Sequence, residues 1–249
     1  MRISIFGGGT IGGSMALKLK SENIWVEVHD PDIEINKRLK ELDIETFKNI
    51  PIGDLVVICT PMNVEEEIIK NYSFDTPVID VASVMKPMFD LAKNFDIDWI
   101  SGHPMAGNEY SGYLGWDIQL FDEKIFFLSK NERISEKKMK IIEEFVKKLG
   151  SYPKWITPEK HDFILSKISH TTYFISCTAK KIGNEFSNFS GPGYKSTSRL
   201  SNQNKEMVLE IVKKNKMNII QDLKESIDYL NEISLLIQSN QIEKLAKIL

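Results

Sequence analysis

The chain has 249 residues, 42% hydrophobic and 27% charged, with a formal net charge of -3. That is an ordinary composition for a soluble globular protein with room for one large domain or two small ones. The slight acidity argues against broad attraction to nucleic acid, and no stretch is long and apolar enough to suggest a membrane-spanning helix.

The first half alternates. RISIF (Arg2 to Phe6) is a short β-rich run, and Thr10 to Lys20 has helical spacing, with Ile11, Met15 and Leu19 on one face. WVEVH (Trp25 to His29) is strand-like, and Pro31 to Leu42 predicts a helix. DLVVIC (Asp54 to Cys59) is continuously apolar, as expected of a strand covered on both faces. A helix over Val64 to Lys70 and strands over Pro77 to Val81 and Asp98 to Ser101 follow, then a strand over Lys124 to Leu128 and a helix from about Ser135 to Leu149. This alternation predicts an α/β fold with a parallel, doubly wound sheet.

After Gly150 the pattern changes. SYPKWITP, with two prolines, is linker-like, and beyond it no strand is predicted. His161 to Ile182 is one long helical candidate, Phe186 to Ser201 is a loop by composition, and Asn204 to Leu249 is helical with a break at Ser239-Asn240. The domains expected are therefore 1–152, α/β, and 153–249, all-helical.

FGGGTIGGS (Phe6 to Ser14) contains GxGxxG at Gly7, Gly9 and Gly12, between a strand and a helix. That context makes it a dinucleotide signature: one glycine turns the chain, one admits a pyrophosphate, one lets helix and strand pack. The phosphates would sit on the free N–H groups of the helix start, at Thr10 and Ile11. Asp30 ends the second strand, 18 residues after Gly12. A carboxylate there accepts from ribose hydroxyls and repels a 2′-phosphate, favouring NAD over NADP. Ligands of such sheets bind at the carboxyl ends of the strands, so Thr60-Pro61 joins the cofactor-binding candidates.

Asp80-Val81-Ala82-Ser83 and Ser101-Gly102-His103-Pro104 end at the same edge. His103 opens the loop SGHPMAGNEYSG; it would project where a nicotinamide lies, with Ser83 beside it. A near-neutral imidazole can take a proton from a substrate hydroxyl during hydride transfer, whereas the plainer alternative is a histidine satisfied by backbone. On the apolar helix after His161, Ser166, Ser169, His170 and Tyr173 fall on one stripe. Such a stripe suits a wet cavity, a partner or a ligand, or else an internally satisfied helix seam. Arg199 in SGPGYKSTSRL suits a bidentate grip on a carboxylate. His29 is expected at a strand end, and His161 at a helix start with Asp162 in its first turn. Cys59 and Cys177 belong to no CxxC pair, so no metal site is predicted, and they suggest reduced core residues of a cytoplasmic protein. The N-terminus is a poor signal peptide.

FGGGTIGGS, DVASV, SGHPMAGNEYSG, HDFILSKISH and GYKSTSRL occur here in the order found in the prephenate dehydrogenases of tyrosine biosynthesis, which the chain resembles from Ile3 to about Asp222. The resemblance implies a Rossmann-type NAD-binding domain followed by an all-α dimerisation domain, and a cytoplasmic homodimer that oxidatively decarboxylates prephenate with NAD. It makes His103 the group that polarises and deprotonates the ring hydroxyl, with Ser83 orienting it. It makes Arg199, His170, Ser169 and Glu109 the substrate-binding set. The chain departs from the family at Tyr173, where a second histidine is usual, and at Lys195-Ser196, where Arg-Asp is usual. A fused regulatory or chorismate mutase domain is not expected.

Three rivals stand beside this. Arogenate dehydrogenase shares the fold and chemistry. A β-hydroxyacid dehydrogenase would use a Lys and an Asn four residues later, which Lys180 and Asn184 match in spacing only. A non-catalytic NAD-binding sensor would not need Ser83, His103 and Arg199.

Overall fold

The computed structural model describes residues 1–47, 51–95, 97–108 and 110–249. They form two compact units, Met1–His161 and Asp162–Leu249.

In the first unit, strands β1 (Arg2–Phe6), β2 (Trp25–His29), β3 (Glu45–Thr46), β4 (Leu55–Ile58), β5 (Val78–Asp80), β6 (Trp99–Pro104), β7 (Ile125–Lys130) and β8 (Tyr152–Trp155) form one sheet. Their order is β3-β2-β1-β4-β5-β6-β7-β8, so the chain reverses direction across the sheet between β1 and β4. Helices α1 (Thr10–Ser21), α2 (Ile33–Glu41), α3 (Met62–Asn71), α4 (Met85–Ala92) and α5 (Glu136–Lys148) link or flank the strands, and α6 (Pro158–Leu165) carries the boundary between the units. All four residues of β4 are buried, the signature of a central parallel strand. Ile3, Ile5, Val28, Leu55, Val57, Ile79 and Ile100 from the strands pack with Met15 and Leu19 of α1 and Phe145 and Val146 of α5. α5 starts at a Ser135 N-cap, whose side chain accepts from the Lys138 N–H.

Several expectations are corrected here. The sheet is not wholly parallel, because β6 and β7 run antiparallel. SYPKWITP is not a linker: Tyr152–Trp155 is β8, which pairs only with β7, and Pro153 is tolerated there because an edge strand has unpaired N–H positions. α4 was not expected; Pro87 stands in its first turn, where its missing N–H costs nothing. His103 lies on a strand, opposite Phe127, rather than opening a loop.

In the second unit, a π turn (Ser166–His170) leads into α7 (Thr171–Gly183). It interrupts what the sequence pattern predicts as one long helix. Phe186 to Ser201 is not a loop: it holds a 3-10 turn ending at Phe189, α8 (Pro192–Ser198) and a second 3-10 turn, Arg199–Asn202. Small polar residues hide such short helices, since they suit turns as well. α9 (Lys205–Lys214), α10 (Lys216–Gln238) and α11 (Ile242–Ile248) complete the unit. The expected break is present, with Asn240 at φ 53°. α10 leaves Ile227, Leu230, Leu235 and Ile237 exposed. Among the described residues no helix is long and apolar enough to cross a membrane.

Candidate active site

The glycine turn is built by close approach. Gly7 has φ +92°, a conformation that disfavours any side chain, and a Cβ on Gly12 would overlap the Gly7 carbonyl oxygen. α1 begins at Gly9 with no side-chain cap and no acid in its first turn, so its first N–H groups, those of Thr10 and Ile11 included, keep their positive end for an anion. A Cβ on Gly9 would meet nothing within 4 Å. Asp30 closes the turn from the side: its carboxylate accepts the Gly8 N–H at 2.7 Å and the Asp32 N–H at 2.8 Å. Pro61 precedes α3, and the Thr60 hydroxyl oxygen is buried with no hydrogen-bond partner among the described residues. An uncapped helix start, open space at Gly9 and a spare buried hydroxyl fit a dinucleotide.

A tryptophan that sequence reasoning missed braces this turn. Trp116 Nε1 donates to the carbonyls of Gly8 at 2.9 Å and Gly9 at 3.1 Å, and its ring occupies the space a Cβ on Gly13 would need. The same segment accepts the Thr10 hydroxyl at the Tyr110 carbonyl (2.9 Å) and donates the Asp117 N–H to Ser14 Oγ (3.0 Å). With its hydroxyl proton given to Tyr110, Thr10 offers an anion its backbone N–H. Trp116→Phe is expected to lower stability by about 1–2 kcal/mol through the lost hydrogen bonds and to weaken NAD binding with little change in kcat. Thermal denaturation and a cofactor titration check both.

Ser83 and His103 come to the carboxyl edge from neighbouring strands, since β5 pairs with β6. His103 Nδ1 lies 3.0 Å from His161 Nε2, with the rings at 75°, and Phe127 packs on the far imidazole with centroids 5.4 Å apart. His161 is 0% exposed. A helix-start role for it is thus too modest: it sits in α6 as the partner of His103, and the available signal was only that three of four histidines fell in motif stretches. Since one nitrogen of the pair must donate, a His103 that donates from Nδ1 keeps its Nε2 as an acceptor.

The polar stripe turns inward. Ser166 and His170 are buried, while Phe163, Ile168 and Ile175 are exposed. The Ser166 hydroxyl and the Lys167 ammonium donate to Asp222, the latter at 2.6 Å. Asn215 Nδ2 donates to the Asp162 carbonyl at 2.8 Å and to His170 Nδ1 at 3.1 Å, which puts the His170 proton on Nε2. Ser166 is thus satisfied at a helix seam, and Asn215 engages the Nδ1 edge of His170; Ser169 is half-buried. Tyr173, half-buried, shares a hydrogen bond with Cys177, and burial first and that bond second push its hydroxyl above the usual tyrosine range. Arg199 is exposed, and no ion pair to it is found among the described residues. Glu109 lies outside the described residues. Among those described, no group of three His, Cys, Asp or Glu side chains forms a metal site.

Comparison with known proteins finds matches for both parts of the chain. The prephenate dehydrogenase nucleotide-binding domain matches residues 15–152, and the prephenate dehydrogenase dimerization domain matches residues 157–249. The prephenate dehydrogenase of Bacillus subtilis is 23% identical over 98% of this chain and 72% of its own length. The probable arogenate/prephenate dehydrogenase of Methanocaldococcus jannaschii is 28% identical over 100% of this chain and 59% of its own length. The crystal structure of prephenate dehydrogenase from A. aeolicus, in complex with hydroxyphenyl propionate and NAD+, superposes with a TM-score of 0.86 at 24% identity. It covers 100% of this chain and 94% of that one, which fixes the fold. The chain belongs to the prephenate dehydrogenase family, with that family's nucleotide-binding domain joined to its dimerization domain.

Proposed function

We propose that this chain is an NAD-dependent prephenate dehydrogenase that converts prephenate to 4-hydroxyphenylpyruvate and carbon dioxide. The observation that carries this is the His103–His161 pair, at the same strand edge as an uncapped glycine turn, in a chain of this family. NAD, when bound, supplies the hydride acceptor. Asp30 favours it over NADP, because a carboxylate beside the ribose repels a 2′-phosphate.

His103 Nε2 accepts the proton of the ring hydroxyl as hydride leaves the same carbon. Its Nδ1–H donates to His161 Nε2, which fixes the tautomer and stabilises the imidazolium. The C–C bond to the ring carboxylate then breaks, its electron pair aromatises the ring, and the proton returns to the phenol oxygen. Hydride and carbon dioxide leave with no net proton released. The chain's task is to hold this geometry, since aromatisation drives the rest. Ser83 orients His103 and the hydroxyl. Arg199 binds a substrate carboxylate, and Ser169 and His170 line the substrate side, as the family resemblance implies. The exposed apolar residues of α10 support a homodimer through the helical domain.

The test is NADH formation by the purified chain with NAD, comparing prephenate with arogenate. Turnover on prephenate is expected. Turnover on arogenate alone would keep the mechanism and change the substrate. NAD binding without turnover on either would sink the proposal.

A further inference from the structure

A buried acid pair stands behind the reacting edge, and nothing in the mechanism uses it. Asp80 ends β5 and is 0% exposed; Glu65 of α3 is 1% exposed. Asp80 Oδ1 accepts two backbone N–H groups, from Gly102 at 3.0 Å and from Ala82 at 3.2 Å. Ala82 immediately precedes Ser83, and Gly102 immediately precedes His103. The approach is close: a Cβ on Gly102 would lie 2.5 Å from the Asp80 carbonyl oxygen. The Ser101 hydroxyl also hydrogen-bonds Asp80, and Trp99 Nε1 donates to Ser101 Oγ at 3.0 Å. Asp80 Oδ2 meets no hydrogen-bond donor among the described residues, and the buried Glu65 carboxyl is the acid that interacts with Asp80 there. Two acids buried together with no cation between them favour a form in which one carries a proton.

We propose that Asp80, sharing a proton with Glu65, is the positioning residue of the reacting edge. It clamps the turn before Ser83 and the strand before His103 to one carboxyl oxygen, while the shared proton satisfies the other. This rests on the assignment of His103 and Ser83 to the reaction. The clamp tolerates an amide, because Asn offers one oxygen to both N–H groups and an N–H to the Glu65 carboxylate. It does not tolerate loss of the acceptor, which would leave two buried N–H groups without a partner.

The proton makes its own prediction. Burial pushes Asp80 up to about 7 from 3.8, against the pull of its donors at Gly102, Ala82, Ser101 and Glu65. Glu65 from α3 and Cys59 after β4 are the other titratable groups facing it, and burial and the two acids together push the Cys59 thiol up. A carboxyl whose folded pKa is raised contributes stability that is complete below its unfolded value. That stability is lost as the pH rises through the folded one. An asparagine at 80 has no such loss, so the Tm of Asp80→Asn minus that of wild type should increase between about pH 4 and pH 7 and then level off.

Three measurements on the full chain test this. With NAD and prephenate, Asp80→Ala should lower kcat on the order of 100-fold with KM for NAD nearly unchanged, whereas Asp80→Asn should keep kcat close to wild type. If the alanine variant does not fold, Asp80→Ser takes its place. The Tm difference between Asp80→Asn and wild type should follow the pH course above. The His103 imidazole resonances should move in the alanine or serine variant and stay in place in Asp80→Asn. That last readout needs no turnover, so it stands even if wild type is inactive and the functional assignment fails. A kcat or a His103 signal indifferent to loss of the carboxyl, an asparagine variant as damaged as the alanine one, or a pH-independent Tm difference would overturn the clamp.

Discussion

His103→Asn should lower kcat on the order of 10³-fold while NAD binds as in wild type. An asparagine amide can still donate to His161 Nε2, so the packing of the buried ring is kept. What is lost is basicity: an amide oxygen cannot hold the hydroxyl proton while hydride departs. Substrate KM should change little, because the imidazole acts on the reacting hydroxyl rather than on the carboxylates that hold the molecule. His161 extends the argument. His161→Gln offers an amide oxygen to the His103 Nδ1–H and should retain much of the activity, whereas His161→Leu removes the acceptor that this N–H uses. The leucine variant should fall further in kcat than the glutamine variant, at similar KM for NAD, with steady-state NADH formation as the measurement. Equal losses in the two would mean that His161 only fills space.

The nucleotide half of the site was legible in the chain because its signals are local. The glycines, the helix that follows them and Asp30 lie within one strand–turn–helix–strand unit, where sterics require glycine at Gly7 and Gly12 and the Asp30 carboxylate closes the turn. His103 was legible for a weaker reason, as a rare residue at a strand end, and even then its strand was read as a loop. The antiparallel β7 that extends β6 to Pro104 comes from a partner more than 20 residues on, which no local pattern announces. His161 could not be found this way. Its role lies in a contact 58 residues away in sequence, and an imidazole at a helix start looks the same with or without it. Trp116 and Asp80 were missed for the same reason, since each acts on backbone groups of distant segments. The stripe on the helix after His161 was only partly legible, because 3.6-residue periodicity assumes a regular helix and the π turn at Ser166–His170 breaks that assumption.

The second large effect separates two glycines that look equivalent in the motif. Gly12→Ala places a methyl against the Gly7 carbonyl oxygen, and neither backbone can retreat, since Gly7 is itself held by its N–H to the His29 carbonyl at 2.8 Å. The variant should lose about 3 kcal/mol, roughly 6–12 °C in Tm for a chain of this size, and cofactor binding with it. Gly9→Ala meets nothing in the chain itself. Its backbone is extended at φ −63°, ψ −164°, which alanine adopts freely, so Tm should match wild type. Yet the new methyl stands over the uncapped start of α1, where the pyrophosphate must come within hydrogen-bonding distance of the N–H groups. NAD binding should weaken by a factor on the order of 10 to 100, the equivalent of one or two such contacts. Calorimetric titration with NAD beside thermal denaturation reads the pair. If Gly9→Ala binds NAD as tightly as wild type, the cofactor does not lie on this turn. If it lowers Tm as Gly12→Ala does, the open space at Gly9 is not a ligand's.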